Sequence, residues 1–173
     1  MTINKWGGKE MRYRMQQKIF SLTDSFTIED ARGNPIYQVK GKLLSLGDRL
    51  RFYDMEGNEV ALIKQELISL KPRYRIYRDD TLQAEVTKKL LTLFRDRFDI
   101  EMAGDTPALE VKGNILEHEY RFQQRGRDVA RVSKKWFSLR DSYGVDIAEG
   151  IDDVLILACA VVIDLISHDS DGS

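Results

Sequence analysis

Cysteine, proline and histidine are all scarce in this chain, whose 173 residues include one cysteine, three prolines and two histidines. The single cysteine, Cys159, excludes a disulfide within the chain, and no residues have the spacing of metal ligands. Cys159 lies in an apolar run, where a free cysteine usually serves as a small buried hydrophobe. The sequence therefore predicts neither a metal nor another cofactor. A reducing, cytoplasmic setting is expected, since no basic segment followed by an apolar stretch marks a secretory signal.

An excess of either charge is also missing. Lysine and arginine together number 27, aspartate and glutamate 28, and the net charge is -1. A balanced charge exerts no global attraction on nucleic acid, so nucleic acid is not an expected partner. Any attraction to an anionic surface must come from local basic clusters. A composition of 42% hydrophobic and 32% charged residues indicates one globular domain and excludes wholesale disorder.

Catalytic signatures are absent as well. The chain contains no Gly-x-Ser-x-Gly elbow, phosphate-binding loop, dinucleotide fingerprint or His-Glu-x-x-His motif. His118 could form an acid–base pair with a carboxylate, as a small hydrolase would require. We expect instead a histidine on the surface of a strand, and His168 falls in the polar C-terminal segment. The sequence therefore predicts no catalytic residues, and the protein is not expected to be an enzyme.

An internal repeat is the strongest positive signal. A shift of 72 residues aligns two pairs of similar segments, which are 26–29 with 98–101 and 39–41 with 111–113. After a three-residue deletion, a shift of 69 places Tyr74 on Tyr143. So many matches in register predict two duplicated halves, spanning about 17–79 and 89–148.

A shorter motif recurs inside each half, in which a pair of turn residues precedes an alternating strand that ends in lysine or a small polar residue. The predicted strands of this motif are 36–40, 60–64, 84–88, 109–112 and 129–134. Glycine and asparagine tolerate positive φ, so turn pairs such as Gly33-Asn34 between apolar runs favour β-hairpins. Alternation of apolar and charged residues, as in 74–78, is typical of antiparallel sheet with one wet face. Ten to twelve strands are predicted.

Residues 154–163 are apolar at every position and form the one long hydrophobic run. Asp152 and Asp153 precede it, as expected of a helix cap and first turn. A helix that is apolar all round is buried in a large core or spans a membrane. A span needs about 20 apolar residues, so an integral membrane protein is not expected. The residues assigned to the buried helix are Val154, Leu157, Ala158, Val161 and Leu165.

The sheet offers a place for this helix. An eight-stranded barrel is filled by its own side chains, whereas twelve strands leave a lumen that needs filling. A helix about 10–12 Å across suits that space. The predicted fold is therefore mainly β, with a closed antiparallel barrel of twelve strands built from two duplicated halves. An apolar C-terminal helix, about 152–166, runs through its lumen.

Two stretches, 26–41 and 138–160, resemble the LURP-one-related family, which belongs with the tubby C-terminal domain and the phospholipid scramblases. The chain is similar to the short bacterial type from about Arg12 to Ile166. The resemblance implies a twelve-stranded closed barrel around a central hydrophobic helix. It places one tubby-like domain at 12–168, between a flexible N-terminal segment, 1–11, and a disordered tail, 169–173. The scramblases' cysteine-rich segment and calcium-binding acids are missing, so scramblase activity is not expected.

Basic clusters are the main functional lead. The candidate ligand-binding residues are Lys71, Arg73, Arg75, Arg78, Lys134 and Lys135. If the two halves bring these clusters together, they frame a patch for a phosphorylated head group. The alternative is that they coat the outer barrel face and pair with the many acids. We therefore expect a non-enzymatic binding or scaffold barrel that recognises anionic phospholipid or phosphoinositide, peripheral at a membrane face. A protein-interaction or regulatory module with a protein partner and no lipid role is the alternative.

Overall fold

The computed structural model describes residues 9–16, 25–42, 47, 49–67, 71–89, 97–137 and 142–170. Within these ranges the chain forms strands joined by turns, then one helix. The strands are β1 Glu10–Gln16, β2 Ser25–Asp30, β3 Pro35–Lys42, β4 Arg49–Asp54, β5 Glu59–Gln65, β6 Arg73–Arg78, β7 Thr81–Lys89, β8 Arg97–Met102, β9 Leu109–Asn114, β10 Glu119–Gln124, β11 Arg127–Ser133 and β12 Ser142–Ala148. The helix α1 spans Asp153–Ser170, and a 3-10 turn spans Lys134–Trp136.

The sheet is a closed antiparallel barrel in which every strand pairs with its neighbours in the chain. The first and last strands complete the ring, with Glu10 opposite Ala148 and Gln16 opposite Ser142. The prediction of a closed twelve-stranded barrel is confirmed. Closure leaves no unpaired sheet edge, which removes the usual template for aggregation. The duplication itself stays a prediction, although its 72-residue shift relates β2 to β8 and β3 to β9.

Local turn chemistry explains the hairpins. In the turn between β2 and β3, Gly33 has φ of 85°, a conformation that glycine adopts at little cost. The Asp30 carboxylate accepts a backbone N–H bond from Asn34 at 2.9 Å. Asp54 accepts the equivalent bond from Asn58 at 2.8 Å in the turn between β4 and β5. Side-chain bonds of this kind stabilise the turns without help from the core.

Because the strands alternate in direction, the turns fall into two sets. We call the end where α1 begins the upper end, and its turns are 31–34, 55–58, 79–80, 103–108, 125–126 and 149–152. We call the opposite end the lower end, and its described connecting residues are 47, 66–67, 71–72, 115–118 and 134–137. The odd-numbered strands from β3 to β11 run from the upper end to the lower end.

The apolar helix lies in the lumen, as predicted. Residues 154–167 are all buried, and Leu157, Ala158 and Val161 are fully enclosed. Asp152 caps the helix by accepting the Leu155 N–H at 3.1 Å. Buried inward residues from all twelve strands surround it and make one continuous core. Within the described residues, no helix combines the length and apolar character that crossing a bilayer requires.

The domain ends differ slightly from the expected bounds. β1 begins at Glu10, so the last two residues of the predicted N-terminal segment 1–11 pair with β12. The helix continues to Ser170, past the predicted end at 166, and includes two residues of the predicted tail. Its extension follows from the burial of Ser167, which is only 7% exposed. Residues 1–8 and 171–173 lie outside the described residues.

Candidate functional site

The predicted basic cluster on β6 faces outward but is largely matched by carboxylates. The Arg75 guanidinium lies 2.7 Å from Glu66 and 2.8 Å from Glu85. Arg73 lies 3.3 Å from the same Glu85. Hydrogen bonding to Glu85 raises the pKa of Arg75, because the paired charge favours protonation. These two arginines therefore belong to a mixed-charge network on β5, β6 and β7, as the alternative interpretation of the cluster expected.

Arg78 has a structural role at the upper end. Its guanidinium makes a bidentate ion pair with Asp152, with both N–O distances at 2.9 Å. Its Nε also donates to the Val60 carbonyl at 3.3 Å. Because Asp152 is the helix cap, this pair ties the barrel wall to the start of α1. Arg78 thus stands roughly 17 Å along β6 from Arg73, at the opposite end of the barrel.

Lys134 and Lys135 lie at the lower end, on the 3-10 turn that follows β11. Glu119 fixes this turn by accepting the Ser133 hydroxyl at 2.6 Å and the Lys134 N–H at 3.2 Å. The Ser133 hydroxyl in turn accepts the Lys135 N–H at 3.2 Å. Neither ammonium group has a carboxylate within ion-pair distance among the described residues. The turn therefore carries both cations on a backbone that is held by hydrogen bonds.

Trp136 and Phe137 pack this turn against the barrel wall. They cover the outer face of β12 so closely that a Cβ on Gly144 would lie 2.6 Å from Trp136 Cε3. The Arg12 guanidinium lies 4.6 Å from the centre of the Trp136 ring and also bonds Asp146 at 2.6 and 2.7 Å. Arg131 lies 5.6 Å from the same ring. Sequence reasoning missed this cover, although a glycine inside a strand pattern often marks a close approach.

The barrel does not bring the two predicted clusters into one patch. The β6 cluster and the Lys134–Lys135 pair are separated by β7, β8, β9 and β10. Five strand spacings of about 4.8 Å amount to roughly 24 Å of barrel wall. One phosphorylated head group therefore cannot contact both clusters.

His118 is not the surface strand residue that we expected. It lies in the turn between β9 and β10 with φ of 50° and is only 9% exposed. Its Nε2 is 3.2 Å from Asp164 Oδ1, and its ring centre is 4.5 Å from that of Tyr143. The prediction was wrong because Asp164, the polar residue that interrupts the apolar helix, needs partners inside the barrel.

Asp164 is the centre of a buried polar cluster near the lower end. The Tyr143 hydroxyl donates to its Oδ2, and burial raises the pKa of Tyr143 well above its usual range. Three more polar atoms nearby are buried and have no hydrogen-bond partner among the residues that the structure describes, namely His118 Nδ1, Tyr120 Oη and Ser167 Oγ. Buried polar groups of native proteins are normally satisfied by protein or by ordered water. The cluster therefore has the composition of an internal hydration site.

Its residues do not form a recognisable catalytic unit. A His–Asp pair orients a general base when the second imidazole nitrogen contacts a nucleophile. Among the described residues, His118 Nδ1 has no such contact. Burial raises the pKa of the Cys159 thiol, which disfavours the reactive thiolate. The described residues also include no group of three or more potential metal ligands from His, Cys, Asp and Glu.

The fold defines the class of protein: an antiparallel barrel of twelve strands, closed around its own C-terminal helix. The LURP-one-related family model matches residues 11–164, and the chain belongs to that family. No curated protein matches the sequence. The X-ray structure of an Arabidopsis thaliana protein is similar, with a TM-score of 0.68, 20% identity and coverage of 91% of each chain. At this identity, the likeness shows a shared fold.

Proposed function

We propose that this barrel is a non-enzymatic binding module that recognises anionic phospholipid head groups at a membrane face. The observation that supports it best is the Lys134–Lys135 pair, two cations on a hydrogen-bonded turn whose ammonium groups have no carboxylate within ion-pair distance among the described residues. Ammonium groups act as point charges for phosphate, and each contributes about 1 kcal/mol near an anionic membrane. Arg75 and Arg78 contribute less to the proposal, since carboxylates already hold their guanidinium groups.

Vesicle co-sedimentation tests the proposal. The full chain is spun with vesicles of phosphatidylcholine alone, with phosphatidylserine added, or with a phosphoinositide added. We expect binding only to the anionic vesicles, weakening as salt rises because surface charges are screened. The double variant Lys134→Ala/Lys135→Ala should lose about 2 kcal/mol of binding, which is roughly thirtyfold in affinity.

A matched control for that variant exists at the upper end. Arg125 and Arg127 are two exposed cations separated by one residue, and Arg125→Ala/Arg127→Ala should bind like the parent protein. Equal and negligible sedimentation with every vesicle type would exclude lipid recognition. Equal weakening by both double variants would show that overall charge, and not the lysine turn, drives binding.

A protein-interaction module without a lipid role is the second candidate. The mixed-charge network of β6 favours it, because alternating paired charges suit a protein surface better than a uniform anionic plane. Affinity capture should then return one stoichiometric partner. The double variant Arg73→Glu/Arg75→Glu then locates the contact surface of that partner. Partner binding should be abolished if the partner contacts the mixed-charge network of β6, and unaffected if it contacts another face. No vesicle binding accompanies either result.

A further inference from the structure

Basic residues recur at intervals of 24 around the barrel. The first series lies near the C-terminal ends of the strands that run toward the lower end, and its members are Lys40, Lys64, Lys88 and Lys112. The second series lies near the N-terminal ends of the strands that run back toward the upper end, and its members are Arg49, Arg73, Arg97 and Arg121. Each lies within the last or first three residues of its strand. With Lys89, these residues form what we call the basic collar, which spans β3 to β10 near the lower end; Lys88 is not counted in it, because it lies opposite the core residue Phe98 and so on the inner face of the sheet.

The strand register sets like charges directly opposite one another in the collar. Arg49 faces Lys64, and Lys89 faces Arg97. Lys112 faces Arg121 in the same way. Like charges opposite each other on antiparallel strands are destabilising. Carboxylates offset the repulsion at two of these places, because Asp99 pairs with Lys89, and Glu110 and Asp128 pair with Lys112 and Arg121. The Arg49–Lys64 contact has no carboxylate within ion-pair distance among the described residues, and binding to an anionic partner explains it better than stability does.

Carboxylates near the collar compensate only part of this charge. Four collar residues have a carboxylate within ion-pair distance, namely Lys89 at 2.7 Å from Asp99, Lys112 at 2.9 Å from Glu110, Arg73 at 3.3 Å from Glu85 and Arg121 at 3.5 Å from Asp128. Exposed pairs of this kind contribute little to stability. Arg49 and Arg97 are exposed and have no carboxylate within ion-pair distance among the described residues. They lie on β4 and β8, four strands apart, so charge remains available on separate parts of the wall.

The two ends differ in the charge balance of their described turns, since the lower end has Glu66 and Glu117 with Lys71, Lys134 and Lys135, whereas acids predominate at the upper end. Acids of its described turns are Glu56, Asp79, Asp80, Asp105, Glu149 and Asp152, and its described turn cations are Arg32 and Arg125. A strand of six or seven residues separates the ends by roughly 20 Å. That distance exceeds the Debye length of about 8 Å at physiological salt, so an anionic surface at the lower end does not sense the upper acids.

Two large apolar side chains also project at the lower end. Leu67, in the connection between β5 and β6, is 56% exposed, and Leu116, in the turn between β9 and β10, is 55% exposed. Exposed apolar residues within a basic surface suit the boundary between head groups and acyl chains. The upper end also exposes apolar side chains, namely Met55 at 56%, Met11 at 47% and Leu82 at 37%, but its turns are rich in acids, which an anionic membrane repels.

From these observations we infer that the barrel docks end-on, with its lower end and basic collar against the plane of an anionic bilayer. The inference rests on the proposed lipid recognition and adds the orientation and the contact surface. The occupant is a planar surface because the collar extends over eight strands, farther than one head group reaches. A flat anionic plane contacts all parts of a ring at once, whereas side-on docking would engage only two or three strands.

Site-specific fluorescence labelling tests the orientation. The natural Cys159 is fully buried with a raised thiol pKa, so it provides an unlabelled background. Leu67→Cys and Leu116→Cys place an environment-sensitive dye at the lower end, and Met55→Cys places it at the upper end. With phosphatidylserine-containing vesicles, we expect a blue shift and a severalfold rise in emission at the two lower positions. Emission at position 55 should stay unchanged.

The outcomes separate the orientation from lipid recognition. If labelled proteins sediment with anionic vesicles but only position 55 responds, the lower end is not the docking end. If they sediment and no position responds, the barrel docks by its wall, and the inference is overturned while lipid recognition stands. If none sediments, lipid recognition itself fails. Capture of an acidic protein by the collar without vesicle binding would assign the surface to that partner.

Charge removal gives an independent test. The double variant Arg49→Gln/Arg97→Gln should weaken vesicle binding on the order of thirtyfold. Each cation contributes about 1 kcal/mol near an anionic membrane, and about 1.4 kcal/mol corresponds to a tenfold change in affinity. Its melting temperature should stay the same or rise, since two like-charge contacts are relieved. The control Arg32→Gln/Arg127→Gln removes two exposed upper-end cations and should leave binding unchanged. Loss of stability in the collar variant, or equal binding loss in the control, would contradict the inference.

Discussion

Leu157→Asp is the most direct test of the helix inside the barrel. Leu157 is fully buried in the middle of α1, with the strands on every side. The substitution removes an apolar side chain whose burial stabilises the fold by about 2 kcal/mol or more. It also buries a carboxylate on a helix that contains no lysine or arginine to neutralise it. A fully buried carboxyl typically responds by raising its pKa by up to 3–5 units.

The pH dependence follows from the sign of that shift. The introduced carboxyl would have an ordinary pKa of about 3.9 in the unfolded chain and a raised pKa in the folded barrel. The folded state then holds a proton that the unfolded state releases between these values. The electrostatic cost is therefore absent below pH of about 4 and grows by about 1.4 kcal/mol per pH unit up to the folded pKa. Between pH 4 and pH 7 it reaches about 4 kcal/mol, comparable with a typical total stability of about 5–15 kcal/mol.

Denaturant unfolding at several pH values measures this cost. Leu157→Asn is the matched control, because it is polar and similar in size but does not titrate. We expect both variants to be destabilised, and the gap between them to widen as pH rises. A Leu157→Asp protein that is as stable as the parent, or that tracks Leu157→Asn at every pH, would refute the burial of this residue in the apolar part of the lumen.

Three further outcomes are expected. Gly144→Ala should destabilise the fold by about 1–3 kcal/mol, since its Cβ would collide with Trp136, and an unchanged denaturation midpoint would contradict this packing. Tyr143→Phe removes the hydroxyl that donates to buried Asp164, and urea denaturation should show a loss of about 1–3 kcal/mol; a neutral result would mean that water takes its place at no cost. Cys159 should react with a thiol reagent only as the protein unfolds, and immediate labelling in native buffer would contradict its burial.

Local chemistry made the strands predictable. Turn pairs such as Gly33-Asn34 specify a hairpin through residues close in sequence. Four of the five predicted strands of the turn motif lie within observed strands, and the fifth, 129–134, extends one residue past β11 into the 3-10 turn. The regular lysines at strand ends were visible as well. Their meaning was not, because the sequence does not show that Arg49 and Lys64 become neighbours across two strands.

The candidate site was less accessible for the same reason. The β6 arginines formed an attractive cluster in the sequence, but Glu85 lies opposite Arg75 only because of the register between β6 and β7. His118 and Asp164 are 46 positions apart and meet only inside the lumen. No local pattern reports such a pair, since ionic and hydrogen-bonding partners are selected by the closed barrel.

The sequence by itself determined the antiparallel strands, the buried helix and the family, because turn preferences, alternation and an all-apolar run act over a few residues. The tertiary structure alone decided which charges are paired and which remain exposed. It placed Arg78 on the helix cap and left the Lys134 ammonium without an ion-pair partner among the described residues. Charge pairing depends on distances across strands, and barrel closure sets those distances.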